Sequence, residues 1–466
     1  MGETIKRKKN GLTDMTQGNP YKLIVMFSIP LLIGNIFQQL YNMVDSIVVG
    51  QWIGDKALAA AGTGFPIIFM MSSLFMGIGM GASIMISQYY GAKDFESVGK
   101  TVNTIYTALI IGIVPLSLIS VLLAKPLLML IQVPDDGTLS MATIYMITIF
   151  AGIIGSLGYN INAGILQGFG DSRTSLLFLL IACIINIVLD IVFTVCFGMG
   201  VFGVALATII GQLASWLFGI QYINRHYPML RIRLFSFHFD KALFKQAMRL
   251  GIPSGLQQAL FSVGVMMMQS LVNSYGSSFM AGFNGAGKID SFAFMPIQSF
   301  SIAITTYTGQ NVGAEQYKRV SSGFRAGMVL SIATSIALGI ILYPISGFVM
   351  RMFSQSPEVI ASGVTYLHSV LPFYCLLAIM FMVSGTMRGA GEMVVPMICS
   401  FISLWIARVP TAYLLSFWFG RDAIFYSYAI GWAIGLVIGL LYYASGRWKR
   451  KGLVKSTPVQ METSEE

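Results

Sequence analysis

The chain is expected to be an all-α, polytopic membrane protein with twelve transmembrane helices in two six-helix bundles, and three observations carry that expectation. Composition is the first: of 466 residues, 55% are hydrophobic and only 10% charged, with a mean hydropathy of +0.74. A soluble domain cannot keep a polar surface on that balance. The second is length, because apolar runs such as Leu176 to Phe197 and Ala423 to Ala444 recur along the whole chain. Each is near the roughly 20 residues that a hydrocarbon core of about 30 Å demands. The third is an internal repeat, in which short motifs of the first half return in the second in the same order.

Breaking the sequence at charged, Gly and Pro clusters places helix starts near Leu23, Ala57, Val98, Thr138, Thr174, Phe202, Gly251, Phe279, Ser322, Glu358, Val394 and Ala423. The basic run Lys6-Arg7-Lys8-Lys9 ahead of an apolar stretch imitates a secretory signal. The stretch from Leu23 to Trp52 is too long for one and no small-residue cleavage site follows, so a retained first span is expected. Residues 1–22 then form an N-terminal tail, 23–225 the first bundle, 226–249 an interfacial linker, 250–446 the second bundle and 447–466 a C-terminal tail. In the linker, Lys241, Lys245 and Arg249 share a helical face opposite Leu243, Phe244 and Ala247, the pattern of a helix lying on the membrane surface. Pro30, Pro253, Pro296, Pro372 and Pro410 interrupt spans, where kinks are expected.

The formal net charge is +10. Only Lys56, Lys125, Arg351 and Arg421 of the 29 basic residues fall in loops on one side, and Lys288 and Arg408 fall inside spans. The rest cluster at the opposite membrane edge, so both termini are expected in the cytoplasm of a plasma-membrane protein. The same clustering excludes a nucleic-acid surface. The four cysteines, Cys183, Cys196, Cys375 and Cys399, sit in apolar spans without ligand spacing and are expected to pack rather than to bind metal or form disulfides.

The repeat has a measurable register. Ile29-Pro30 returns as Ile252-Pro253, Gln88-x-x-Gly91-Ala92 as Gln310-x-x-Gly313-Ala314, and Gly164-x3-Gly168-x-Gly170-Asp171 as Gly385-x3-Gly389-x-Gly391-Glu392, at offsets of 223, 222 and 221. Six spans per half restore the same orientation, so the repeat is parallel, with a pseudo-two-fold along the membrane normal and a cleft between the halves.

With these motifs in this order, the chain resembles the multidrug and toxic compound extrusion (MATE) antiporters over nearly its whole length. The resemblance implies a secondary transporter that exports cationic or amphipathic small molecules in exchange for H⁺ or Na⁺, rocking about a central site. No other cofactor is implied, and a monomer is expected. A lipid-linked oligosaccharide flippase of the same wider superfamily is the alternative, although that role suggests a cationic cleft.

Of the 19 acidic residues, only Asp45, Asp190 and Asp290 fall within spans. A carboxylate in hydrocarbon needs a partner, a cation or a proton. Counting along the helices at about 1.5 Å per residue puts Asp45 and Asp190 at one depth, about 10 Å below the outer surface, with Thr208 at a similar level. Asn186 precedes Asp190 by four residues and shares its face. Two carboxylates, an amide oxygen and a hydroxyl are hard donors suited to Na⁺ or to a transferable proton. In the DinF-like branch of MATE transporters a coupling-cation site occupies this bundle, and its Asp, Asn-x3-Asp and Thr positions match Asp45, Asn186, Asp190 and Thr208.

In the second half, Lys288, Asp290 and Arg408 are expected to meet near mid-depth as a buried charge cluster, with Arg408 as the partner of Asp290, in a structural or a functional role. The 29 methionines and the aromatics suit varied cargo. Gln38, Tyr41, Gln258, Met268 and Tyr307 are the candidate cavity residues. An ATP-driven pump is not supported, since Gly99-Lys100-Thr101 imitates the end of a P-loop but Asp94 stands where its first glycine should. Enzyme chemistry is not supported either, because His226, His238 and His368 lack metal spacing and no nucleophile has a visible base.

Overall fold

A computed structural model describes residues 13–131, 133–234 and 238–454; the basic run Lys6 to Lys9 and the last residues of the C-terminal tail lie outside them. Among the described residues the secondary structure is helical, without strands. The first half comprises α1 (Pro20–Val48), α2 (Asp55–Gly91), α3 (Phe95–Leu130), α4 (Thr138–Ala151), α5 (Ile153–Phe169), α6 (Ser172–Ile191) and α7 (Gly200–His226). The second comprises α8 (Lys241–Asn273), α9 (Ser277–Gly313), α10 (Tyr317–Arg351), α11 (Pro357–Val370), α12 (Tyr374–Gly389), α13 (Val394–Phe401), α14 (Val409–Phe419) and α15 (Tyr426–Ala444).

Three joins reduce these fifteen helices to twelve spans. Helices α4 and α5 form one span bent by 51°. A 3-10 turn at Leu371–Phe373, where Pro372 removes a backbone donor, links α11 to α12. A widened π-helical turn, Ile402–Arg408, joins α13 to α14. Among the described residues nine helical segments, or ten with the bent pair, are long and apolar enough to cross a membrane. The other two, α8 and α9, are equally long at 33 and 37 residues. They are more polar because they carry Gln257, Gln258, Asn284, Lys288 and Asp290.

The interfacial linker helix does not form as a separate element. Asp240 accepts from the backbone nitrogens of Ala242 and Leu243 and caps α8, which then runs unbroken from Lys241 to Asn273. Nothing between Arg249 and Gly251 interrupts the hydrogen-bond ladder, so the basic face is simply the first turns of the seventh span. Each half has its own core, built around Phe150, Phe169 and Phe178 in one and Tyr366, Tyr374 and Phe425 in the other.

The two lobes meet along α2 and α8 by backbone contact. A Cβ on Gly77 would come within 2.3 Å of the Gly251 carbonyl, and one on Gly251 within 2.7 Å of the Ile78 Cα. Small residues permit this approach, which gains dispersion where the hydrophobic effect is absent. Nearer the face that carries the termini the repeat motifs close on each other. A Cβ on Gly91 would lie 1.9 Å from the Gln310 carbonyl oxygen, and one on Gly313 at 1.9 Å from that of Gln88. Gln88 Nε2 donates to the Gly389 carbonyl (2.8 Å) and its Oε1 accepts from Leu453 N (2.7 Å). Gln310 repeats the arrangement, donating to Gly168 (3.2 Å) and accepting from Met15 N (3.0 Å). Each half therefore ties down the Gly-rich loop of the other together with one chain terminus. Among the described residues, every hydrogen bond between the lobes lies between mid-membrane and this face, the deepest being Asn35 Nδ2 to Ser299 Oγ at 3.4 Å.

Glu392 holds the C-terminal segment from the loop after α12. It caps α13 through Val394 N (3.1 Å) and receives Tyr442 Oη (2.9 Å) and Lys451 Nζ (3.0 Å). Burial alone raises its carboxyl, but the Lys451 and Tyr442 hydrogen bonds outweigh it and hold the group below the ordinary glutamate range. A lowered carboxylate stabilises above its unfolded value and loses that contribution as pH falls through its folded one. The tether of residues 451–454 is thus intact at neutral pH and released only in acid below the usual glutamate range. Hydrogen exchange at Leu453 should accelerate there, and in Glu392→Gln already at pH 7. Replacing both Gln88 and Gln310 with Ala leaves buried backbone groups unpaired at about 1–3 kcal/mol each, enough to shift the lobes toward separation on this face by tenfold or more. Spin-label distances across the Gly91 and Gly313 contact measure that shift.

Candidate cation-binding site

Helices α1 and α6 carry the two carboxylates of the first lobe, and each ends in a widened turn soon after its aspartate. Asp45 lies in the last turn of α1, followed by the π-helical turn Val49–Ile53; Asp190 lies at the end of α6, followed by Val192–Cys196. Such turns insert a residue into the ladder and re-aim neighbouring side chains, and they recur at functional sites.

The four expected residues come together. Asp190 and Asn186 are buried, at 0% and 2% exposure, while Asp45 and Thr208 are half-buried at the edge of the site. The Asp45 and Asp190 carboxyl groups lie within hydrogen-bonding reach of each other. Asn186 Nδ2 donates to Thr208 Oγ1 (3.3 Å), and Thr208 Oγ1 donates to the Val204 carbonyl (3.1 Å). This chain of donors has a chemical consequence. It uses one of the two Asn186 amide hydrogens and the Thr208 hydroxyl hydrogen, and Asp45 Oδ1, both oxygens of Asp190, Asn186 Oδ1 and Gln212 Oε1 are buried with no hydrogen bond closed on them.

Facing carboxyl groups withdrawn from bulk water hold together only with a proton or a cation between them. No ion pair within 4 Å reaches either aspartate among the described residues. The donor set suits a small hard ion. Two carboxylates with amide and hydroxyl oxygens fit a proton or a monovalent cation better than the six to eight oxygens that Ca²⁺ takes.

The site opens into a cavity of about 470 Å³ within the first lobe. Pro30, Gln38, Tyr41, Asp45 and Thr208 are in its wall. Gln38 and Tyr41 are therefore where the cavity was expected, and Tyr41 also reaches the Thr208 hydroxyl. The others are not. Met268 is 1% exposed inside the core of the second lobe, and Tyr307 is buried near the termini-bearing face with its hydroxyl on the Arg319 carbonyl (3.2 Å). Gln258 is half-buried on α8 and outside the cavity wall. Composition alone placed Met268 and Tyr307 in a cavity; packing of the second lobe claims both. Sequence reading also missed Asn35, Tyr145, Asn160, Gln167 and Gln212, all lining residues. The i, i+4 pairs Ser156/Asn160 and Thr208/Gln212 are the polar-face signal that points to them.

The expected charge cluster of the second lobe is only partly formed. Lys288 is exposed on α9 and takes no part. Asp290 receives the Tyr374 hydroxyl, with Tyr366 also in reach. Arg408 is 8% exposed and lies over the Tyr428 ring, 3.2 Å from its centroid. It acts on Asp290 through space without closing an ion pair within 4 Å. The direct Asp290–Arg408 salt bridge is replaced by a phenol on the acid and a ring beneath the guanidinium, because the π-helical turn ending at Arg408 turns it toward α15.

Twelve spans in two lobes related by a parallel repeat, with unpaired carboxyl groups in an intramembrane cavity, define a membrane transporter and not an enzyme. The family model described as MatE matches residues 30–192 and 253–414. The chain is 31% identical to the probable multidrug resistance protein YpnP of Bacillus subtilis over 94% of its own length and 97% of that protein's. It is 27% identical to the probable multidrug resistance protein NorM of Thermotoga maritima, over 93% of this chain and 94% of the other. Among solved structures, the outward-facing conformation of a multidrug resistance MATE family transporter superposes with a TM-score of 0.88 at 25% identity, covering 95% of this chain and 99% of that one. The chain belongs to the MATE family of multi-pass membrane transporters.

Thr208→Val removes the hydroxyl that accepts from Asn186 and frees that amide to rotate onto a carboxylate. Affinity for a small cation held by Asp45 and Asp190 should fall about threefold to tenfold, the loss of one hydrogen bond of about 1 kcal/mol, with unchanged expression. Ion titration of intrinsic tryptophan fluorescence in the purified protein measures it.

Proposed function

We propose that this protein is a secondary antiporter of the plasma membrane, with both termini cytoplasmic, that exports cationic or amphipathic small molecules in exchange for H⁺ or Na⁺. The observation that carries the reading is the Asp45–Asp190 pair, one carboxyl buried and the other half-buried, within hydrogen-bonding reach of each other and, among the described residues, without a fixed positive partner. A permanent structural pair would have one. An exchangeable ion supplies the missing charge in one state of the cycle and leaves in another.

In this reading the structure is closed on the cytoplasmic side, where the Gln88 and Gln310 motifs meet. A cation entering from outside binds between Asp45 and Asp190, with Asn186 Oδ1 and the Thr208 and Tyr41 hydroxyls as neutral ligands. Neutralising the pair lowers the cost of removing it from water, which favours closure around the site and opening on the other side. Cargo competes from the adjoining cavity, whose tyrosines offer ring faces to organic cations while the unneutralised carboxylates supply attraction. Among the lining residues there is no Lys or Arg. That argues against a cleft for lipid-linked pyrophosphate, and the match of Asp45, Asn186, Asp190 and Thr208 supports the DinF-like branch.

Coupling requires that ion and cargo favour different states or compete for one cavity. Asp190→Asn and Asp45→Asn keep volume and hydrogen bonding but remove the charge that the ion answers. Gradient-driven export of a fluorescent organic cation from inverted vesicles should fall by tenfold or more in each, with the membrane level of protein unchanged. Full export by Asp190→Asn, or dye movement that needs ATP and no ion gradient, would remove this reading. Imposing H⁺ and Na⁺ gradients separately identifies the ion.

A further inference from the structure

The pseudo-two-fold gives each residue of the cation site a counterpart in the second lobe, and packing fixes which one it is. A Cβ on Gly211 of α7 would meet the Ala182 carbonyl at 2.9 Å and the Asn186 Cβ at 3.2 Å. A Cβ on Gly431 of α15 would meet the Ser403 carbonyl at 2.7 Å and the Arg408 Cβ at 3.0 Å. Ala182 corresponds to Ser403 at the offset of 221 found in the loop motif, and Asn186 corresponds to Arg408 at 222. The extra residue lies in the π-helical turn Ile402–Arg408, which interrupts the eleventh span where α6 is still regular. Without that insertion Ala407 would take the place that Arg408 holds.

Gly211 and Gly431 are 220 apart, and the same step carries Thr208 to Tyr428. The Asn186–Thr208 hydrogen bond of one lobe therefore reappears in the other as Arg408 over the Tyr428 ring. At the offset of Pro30 and Pro253, Asp45 becomes Met268; one turn beyond Arg408, Asp190 becomes Ala412. Both replacements are buried, at 1% and 0% exposure. The second lobe thus lacks both carboxylates and has a guanidinium at the same place. Its countercharge comes from Asp290, whose counterpart at an offset of 222 is Ile68, a residue of the cavity wall.

Resting on the cation-site reading above, we propose that Arg408 is a covalently attached substitute for the coupling cation. The second lobe holds permanently the charge that the first lobe binds and releases, and the transporter has one exchangeable cation site instead of the two its duplication would provide. Two features beyond the register support this. Arg408 Nε is buried with no acceptor, and among the described residues the guanidinium closes no ion pair within 4 Å with a fixed acid. The ring of Tyr428 and the through-space charge of Asp290 instead treat it as an ion in a cage.

The test makes the second site exchangeable again. In Arg408→Ala the space over Tyr428 opens and Asp290 is left without its cation. Purified protein should melt about 5 °C or more below wild type at pH 8, as expected when one partner of a buried charge pair is removed. Millimolar guanidinium chloride, or lowering the pH to 5.5, should recover most of the loss by supplying a cation or protonating Asp290. The other groups facing Asp290 are Arg408 and the phenols of Tyr366 on α11, Tyr374 on α12 and Tyr428 on α15; phenols ordinarily titrate near pH 10. Wild type should show neither response. Arg408→Ala/Asp290→Asn, the second variant, should melt close to wild type without guanidinium at both pH values.

An Arg408→Ala protein that melts like wild type, or whose loss neither guanidinium nor acid recovers, overturns the proposal. So does a double variant that melts no higher than Arg408→Ala at pH 8, which also covers the case in which the single variant does not fold. Asp190→Asn read for export in parallel separates the two claims. Loss of export there with an unresponsive Arg408→Ala sinks only the substitution, whereas full export there removes the cation site on which it stands.

Discussion

A carboxylate withdrawn from water needs a compensating charge or proton beside it, and the first lobe contains two within hydrogen-bonding reach of each other with, among the described residues, no basic side chain paired to either. Most of what is particular about this molecule answers that constraint. The helices that carry Asp45 and Asp190 both pass into a π-helical turn just beyond the aspartate, and the two carboxyl groups lie within hydrogen-bonding reach. Asn186 gives one amide hydrogen to Thr208 and Thr208 gives its hydroxyl hydrogen to the Val204 carbonyl, which leaves a cluster made mostly of acceptor oxygens. The polar cavity beside them keeps the pair within reach of water and cargo. A site that was merely structural would be more stable with one aspartate replaced by an apolar residue, such as the Met268 and Ala412 that stand at the corresponding positions of the second lobe.

The lobes are held by contacts that are specific without being deep. Backbone approach at Gly77 and Gly251 needs the absence of side chains and little else, and the reciprocal glutamines contribute a handful of hydrogen bonds, each worth about 1 kcal/mol net. That total is of the order of the few kcal/mol by which a ligand shifts a two-state equilibrium. A continuous apolar interface would be too costly to open once per cycle. The chain termini join the same seam through Met15 and Leu453, so separation of the lobes on this face also strains the anchors of both tails.

Much of this was legible in the sequence because the bilayer restricts the alternatives. Twelve helices, the parallel repeat and the pairing of Asp45, Asn186, Asp190 and Thr208 follow from apolar length, motif order and helical spacing, and each of those is a one-dimensional signal. What failed depended on three-dimensional packing. The basic face after Asp240 looks amphipathic in isolation but simply continues into α8. Lys288 and Asp290, two residues apart, diverge as helical geometry requires, yet the turn of Arg408 away from Asp290 arises from one inserted residue in a π-helical turn that no composition or spacing rule detects. Met268 and Tyr307 were placed in a cavity on residue type, when each is as close-packed as any residue in its lobe.

Duplication creates symmetric scaffolds, but coupling requires asymmetric chemistry. A ligand shifts an equilibrium only by the difference in its affinity for the two states. A guanidinium fixed by a covalent bond never dissociates; it contributes no concentration-dependent term and draws no energy from any gradient. In the proposed reading an exchangeable ion between Asp45 and Asp190 does both. If the two lobes carried equivalent exchangeable sites, intermediates with one site filled would populate states in which the lobes are biased differently, and each would be a route for uncoupled leakage. In the mechanism proposed here, with Arg408 in permanent residence, the occupancy of a single site decides the bias of the whole molecule, and the second lobe serves as the constant against which the first one moves.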